Sequence, residues 1–125
     1  MLLDNLFFIE DWKTKEDDIL SNIRIDKRHE VFQGHFPGQP VLPGVTMIQL
    51  SKELMEKHLG FSLKLNKSKQ VKFLHVINPE ENDKIKAEIK FLDSEKEQEY
   101  IVNASLFSVE GNPVFKMQAV FEKVD

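Results

Sequence analysis

The run His35-Phe36-Pro37-Gly38-Gln39-Pro40-Val41-Leu42-Pro43-Gly44-Val45 holds the residues best suited to chemistry. His35 titrates near neutral pH, so it can take a proton and return it. Three prolines and two glycines lie between Pro37 and Gly44. Each Pro locks φ and restricts the residue before it, and each Gly permits close backbone approach. Such a loop has one shape, and His35 opens it. The loop feeds into a helix predicted to begin at Pro43 or Gly44. Free N–H groups at that start, those of Gly44 and Val45, can bind a carbonyl oxygen as it gains negative charge. An imidazole facing these donors suits removal of a proton α to a thioester carbonyl. A rigid connector carrying a hydrogen-bonded histidine explains the same residues equally well on chemistry alone.

The elements around this loop follow from hydrophobic periodicity. Two strands open the chain, near Leu6–Trp12 and Asp18–Ile25. In the second, Ile19, Ser21, Ile23 and Ile25 alternate with Leu20, Asn22 and Arg24, the mark of a half-buried strand. The helix runs to about Leu59, with Pro suited to a first helical position and Gly60 to the residue past the end. Val45, Met47, Ile48 and Leu50 make its first half apolar nearly all round, which predicts burial there. Lys52, Glu53, Glu56 and Lys57 predict that the second half surfaces. Further strands are expected at Val71–Val76, Lys84–Phe91, Glu99–Val109 and Phe115–Glu122, with turns at Asp93–Lys96 and Glu110–Asn112. One buried helix and a mostly antiparallel sheet make an α+β fold. The sheet leaves an edge strand that a second copy would cover.

The 125 residues fit one domain, 1–125, and 41% hydrophobic residues suffice for one core. The formal net charge of −4 argues against nucleic-acid binding, which needs an excess of Lys and Arg. With no cysteine, disulfides, thiolate metal sites and a Cys nucleophile are all excluded. No apolar run is long enough for a membrane span. The first residues lack a basic n-region and a small-residue cleavage site. A cytoplasmic location is expected.

The remaining histidines read as structural. His29 sits in a charged, solvated link. His58 lies in the last helical turn, where a cation complements the helix dipole. His75 shares a face with Val71 and Phe73, as a sheet histidine with its hydrogen bonds met. The four histidines form no metal-ligand spacing, and neither metal nor cofactor is expected. Trp12 and the ten Phe residues read as core or dimer contact. Lys64, Lys67, Lys69 and Lys72 form the densest basic stretch, either a solvated strand entry or a docking site for an acidic carrier protein.

The string HFPGQPVLPGV resembles the signature of the 3-hydroxyacyl-acyl-carrier-protein dehydratases. That family has His-Phe-Pro-Gly, then Pro, then Pro-Gly-Val at the start of its central helix. The flanks Glu30-Val31-Phe32-Gln33-Gly34, Val71-Lys72-Phe73 and Asn78-Pro79 resemble it as well. The resemblance implies a hot-dog fold, a curved antiparallel sheet wrapped around one central helix. It implies a homodimer, or a higher even oligomer, in which the histidine of one subunit faces the helix of the other. It also implies a substrate bound to an acyl carrier protein. His35 would take the C2 proton, while the Gly44 and Val45 amides hold the thioester carbonyl. Phe36 and Phe73 are the aromatic residues favoured to line an acyl channel.

One position departs from the family. Its helix carries a Glu or Asp five residues after the opening glycine, to help the C3 hydroxyl leave; here that residue is Gln49. A neutral amide cannot exchange a proton as a carboxyl group does, but it can orient the hydroxyl. Glu53, about 6 Å further along the helix, is expected to form an exposed pair with Lys57 rather than replace the acid. His35 alone would then take the α-proton and return it to the leaving hydroxyl. Dehydratase-like relatives also serve aryl polyene pathways, and the Gln49 substitution suits such a specialised role. Two other readings compete. A hot-dog thioesterase would want a carboxylate to activate water. A non-catalytic acyl-thioester-binding homologue would not need His35.

Overall fold

The computed structural model describes residues 1–33 and 40–124. Six strands form one sheet: β1 (Phe7–Lys15), β2 (Asp18–Ile25), β3 (Leu63–Phe73), β4 (Lys84–Leu92), β5 (Glu99–Ser108) and β6 (Pro113–Lys123). A single 3₁₀ turn spans Glu30–Phe32, and α1 spans Gly44–Leu59. The strand order is β1-β2-β4-β5-β6-β3, and every pair is antiparallel. β1 and β3 are therefore the edges.

The inward-facing residues follow the period of two. Ile19 and Ile23 of β2, Ile85, Ala87 and Ile89 of β4, Val102, Ala104 and Leu106 of β5, and Phe115, Met117, Ala119 and Phe121 of β6 are all buried. Leu50, Leu54 and Met55 of α1 join them in one cluster. Burial of this apolar area is the main favourable contribution to folding.

α1 has the expected bounds, but Pro43 is its N-cap rather than its first helical residue, with an extended backbone (φ −64°, ψ 139°). The Thr46 hydroxyl and N–H both donate to the Pro43 carbonyl, at 2.6 and 3.0 Å. Gly60 ends the helix in the left-handed conformation (φ 84°) that glycine adopts without a Cβ clash. β3 begins at Leu63, well before Val71. It is an edge strand, and most of its residues face solvent on both sides.

Burial along α1 differs from the expectation at both ends. Val45 in the first turn is 69% exposed, whereas Glu53 in the second half is only 1% exposed. The sheet covers one side of the first turns and leaves Val45 on the other. At Glu53 a second layer arrives. The apolar segment Leu2–Phe7 folds over this part of the molecule, with Leu6 and Phe7 fully buried.

Candidate active site

α1 starts with a set of unfilled donors. Among the described residues, the N–H groups of Gly44 and Val45 have no hydrogen-bond acceptor. No acidic side chain occupies the first turn, so nothing there offsets the positive end of the helix. Such a terminus favours a developing negative charge.

Beside these donors lies a cavity of about 720 Å³. Val41, Leu42, Pro43, Val45 and Met47 line it from the helix approach, and Phe73, Leu74, His75 and Val76 from the segment leaving β3. The walls are mostly apolar. Phe73, Leu74, Val76 and Val45 also present exposed apolar surface around it. Phe73 is one of the residues that line this cavity. Its ring packs against Phe115, with centroids 5.6 Å apart. The ring also covers Gly44 so closely that a Cβ at position 44 would sit 2.7 Å from it. Only glycine lets this ring approach the helix start.

His35 and Phe36 lie outside the described residues. Their neighbours in sequence, Val41 to Gly44, are at the cavity.

Gln49 lies on the helix face of Val45, one turn further on, and is half-buried. Its Nε2 donates to Glu53 Oε2 at 2.7 Å. The Glu53 carboxylate also accepts the backbone N–H of Leu2 on both oxygens and that of Leu3 on Oε1, all at 2.9 Å. The expected exposed Glu53–Lys57 pair does not form. Lys57 lies over the Trp12 ring at 5.8 Å, and Lys52 pairs with Glu56 at 3.9 Å. Burial pushes the Glu53 carboxyl up, but the Leu3 and Leu2 N–H groups and the Gln49 amide outweigh it. The net effect holds Glu53 below the ordinary glutamate value. Sequence reasoning passed over this residue because its donors come from the far end of the chain. The signal open to it was an acidic residue i+4 from the Gln, on a helix that needs apolar faces.

Two other histidines differ from expectation. His75 is not in the sheet: β3 ends at Phe73, and His75 is an exposed residue of the following bend, at the cavity. His29 is not merely solvated. Its Nδ1 accepts the Val31 N–H to cap the 3₁₀ turn, and Nε2 meets Asn5 Oδ1. His58 stands in the last turn of α1, as expected, with its ring 5.9 Å from Phe91. Lys64, Lys67, Lys69 and Lys72 are exposed along β3, and Lys64 pairs with Glu122 at 3.6 Å.

An antiparallel six-stranded sheet packed on one helix, with an apolar cavity at the helix start, defines the hot-dog class. The fold is similar to that of the dehydratase heterocomplex ApeI:P from Xenorhabdus doucetiae. That match has a TM-score of 0.72 at 18% identity and covers 92% of this chain and 96% of that one. A hypothetical thioesterase from Streptococcus pneumoniae, solved with coenzyme A, shares the fold at a TM-score of 0.69 and 12% identity, over 94% of this chain and 85% of that one. The family described as ApeI-like, ApeI dehydratase, matches residues 11–111, and the chain belongs to that family. It is also similar to 3-hydroxyacyl-acyl-carrier-protein dehydratases FabZ. The Clostridium acetobutylicum protein is 34% identical over 70 residues, which are 50% of this chain and 48% of that protein. The Caldicellulosiruptor saccharolyticus protein is 33% identical over 89 residues, 63% and 59% of the two. The chain spans about half the length of the curated relatives it matches. No helix among the described residues is long and apolar enough to cross a membrane.

Proposed function

We propose that this chain is a cytoplasmic homodimeric lyase that dehydrates 3-hydroxyacyl thioesters on an acyl carrier protein to trans-2-enoyl thioesters. The observation that carries the reading is the match to the dehydratase family over residues 11–111, which contain the Pro-Gly loop and all of α1. The unfilled N–H groups beside an apolar cavity support it.

In this reading the acyl chain enters along Phe73, with Phe36 as its second aromatic wall. The thioester carbonyl accepts the Gly44 and Val45 N–H groups, which stabilise the negative charge that forms on it. His35 takes the C2 proton as general base. The electron pair of the broken C–H bond forms the C2–C3 double bond as the C3–O bond breaks. The imidazolium of His35 returns the proton to the departing oxygen, which leaves as water. Gln49 orients the C3 hydroxyl. The open apolar side of α1 at Val45 is part of the surface on which a second copy docks. The lysines of β3 are the docking site for the acidic carrier protein.

The test is incubation of the protein with a 3-hydroxyacyl carrier thioester while the 2-enoyl product and free acid are both followed. Enoyl product is the expected result. Free acid instead would make the chain a thioesterase, and neither product would make it an acyl-thioester-binding protein. Sedimentation at micromolar concentration should give a dimer, and a clean monomer would overturn the shared site.

A further inference from the structure

Glu53 is a buried anion that the reaction above does not use. It is 1% exposed, and among the described residues no cationic side chain lies within 4.0 Å of it. An anion out of water must be satisfied by hydrogen bonds. Two of its donors are backbone N–H groups of Leu2 and Leu3, and the third is the side chain of Gln49. An ionised carboxylate can only accept. The amide of Gln49 must therefore turn its NH₂ group to Glu53. Its carbonyl oxygen, on the other branch of the amide, faces away from Glu53.

We propose that Glu53 is a positioning residue that fixes Gln49 as a hydrogen-bond acceptor, so that the site selects a 3-hydroxyacyl over a 3-oxoacyl thioester. This deepens the dehydratase reading and rests on it. A 3-hydroxyl can donate to the Gln49 carbonyl oxygen. A 3-oxo group has no proton to give and would set two acceptors against each other. A site with a fixed acceptor rejects such a ligand strongly, because the bound ligand would cover the half-buried Gln49 oxygen and leave it unpaired. A freely rotating glutamine would accept both ligands by flipping its amide. The Glu53 carboxylate removes that freedom.

Glu53→Gln reverses the polarity. The oxygen of the introduced amide would accept the Leu2 and Leu3 N–H groups, and its NH₂ would face Gln49. Gln49 would then turn its own oxygen to that NH₂ group and its own NH₂ away.

The test compares binding of 3-hydroxybutyryl- and 3-oxobutyryl-pantetheine amides, read by calorimetry without turnover. The wild type should favour the hydroxy ligand about tenfold or more, as one unmade hydrogen bond implies. Glu53→Gln should erase or invert that preference. Gln49→Met, which removes the amide at similar volume and leaves Glu53 its two backbone donors, should bind both ligands alike. Adding Glu53→Gln to Gln49→Met should then change nothing further. Equal binding of the two ligands by the wild type, or an unchanged preference in both single variants, would overturn the positioning role. Because binding is read apart from turnover, a wild type that discriminates but forms no enoyl product would overturn the dehydratase reading alone.

Discussion

At the first turn of α1, N–H groups stand without acceptors among the described residues, beside an apolar cavity, and Val45 faces solvent. About two turns on, Glu53 is held out of water with both oxygens occupied. One end of the helix offers unspent donors, while the other has gathered more donors than a helix face supplies. The open end can do chemistry because its hydrogen-bonding capacity is unfilled and its potential is positive. At the closed end both carboxylate oxygens are already occupied, so it can hold a neighbouring group in one orientation. Gln49 sits between the two and is the only side chain hydrogen-bonded to Glu53 among the described residues.

The comparison breaks most sharply at His35, which the proposed mechanism assigns to the open end. His35→Ala should lower dehydration by at least about 10²–10⁴-fold, the range for loss of a general acid–base group. Near-normal turnover in that variant would remove chemistry from this end altogether.

Glu53→Ala tests the closed end. It leaves the Leu2 and Leu3 N–H groups without their charged acceptor. Stability should fall by about 2–3 kcal/mol, measured by urea unfolding. The pH dependence has a defined sign. The folded Glu53 carboxyl titrates below its ordinary value, so its contribution is complete above the unfolded value of about 4.3. It is lost as pH falls through the lower folded value. The stability gap between the wild type and Glu53→Ala should therefore be constant from about pH 7 to 5. It should narrow at lower pH. A gap that widens on acidification would mean that Glu53 is buried in its neutral form.

Gln49→Ala should lie between, with activity reduced roughly three- to twelvefold, the worth of one neutral hydrogen bond. If it is as damaging as His35→Ala, Gln49 does more than orient the hydroxyl. The smallest effect is expected at the β3 edge. Changing Lys67 and Lys69 to Glu should raise KM for a carrier-bound substrate and leave a pantetheine substrate nearly unchanged. Moderate salt should mimic the change, since exposed charges are screened beyond about 8–10 Å. Equal effects on both substrates would remove the carrier from this edge.

The sequence makes the alternating strands plain. Ile85, Ala87 and Ile89 turn inward because one face of β4 is buried and the other is charged. The helix bounds are equally legible from Pro43, Gly44 and Gly60. The first half of β3 is not. Lys64–Gln70 has little to bury, and backbone pairing with β6 defines it as a strand. Hydrophobic periodicity reports burial, so an edge strand exposed on both faces leaves little trace. The site divides in the same way. The donors at Gly44 and Val45 follow from local backbone chemistry. The state of Glu53 depends on N–H groups about 50 residues away in sequence. A window centred on the helix contains Lys57 and suggests a surface pair, whereas the fold supplies Leu2 and Leu3.

The contact of Phe73 with Gly44 constrains how this site can change by single mutations. Any side chain at position 44 meets the ring, whose nearest atom would stand 2.7 Å from the new Cβ. The ring rests on Phe115 on one side and is 53% exposed on the other, so a new side chain would have to push it toward the open cavity. Position 44 therefore takes a side chain only when the ring at 73 is displaced or lost. A lineage changing the shape of this cavity meets less resistance by remodelling the strand end first and the helix start second. The same two substitutions in the reverse order pass through an intermediate in which the new side chain meets the Phe73 ring. Order of substitution therefore affects which variants of this cavity form with least rearrangement.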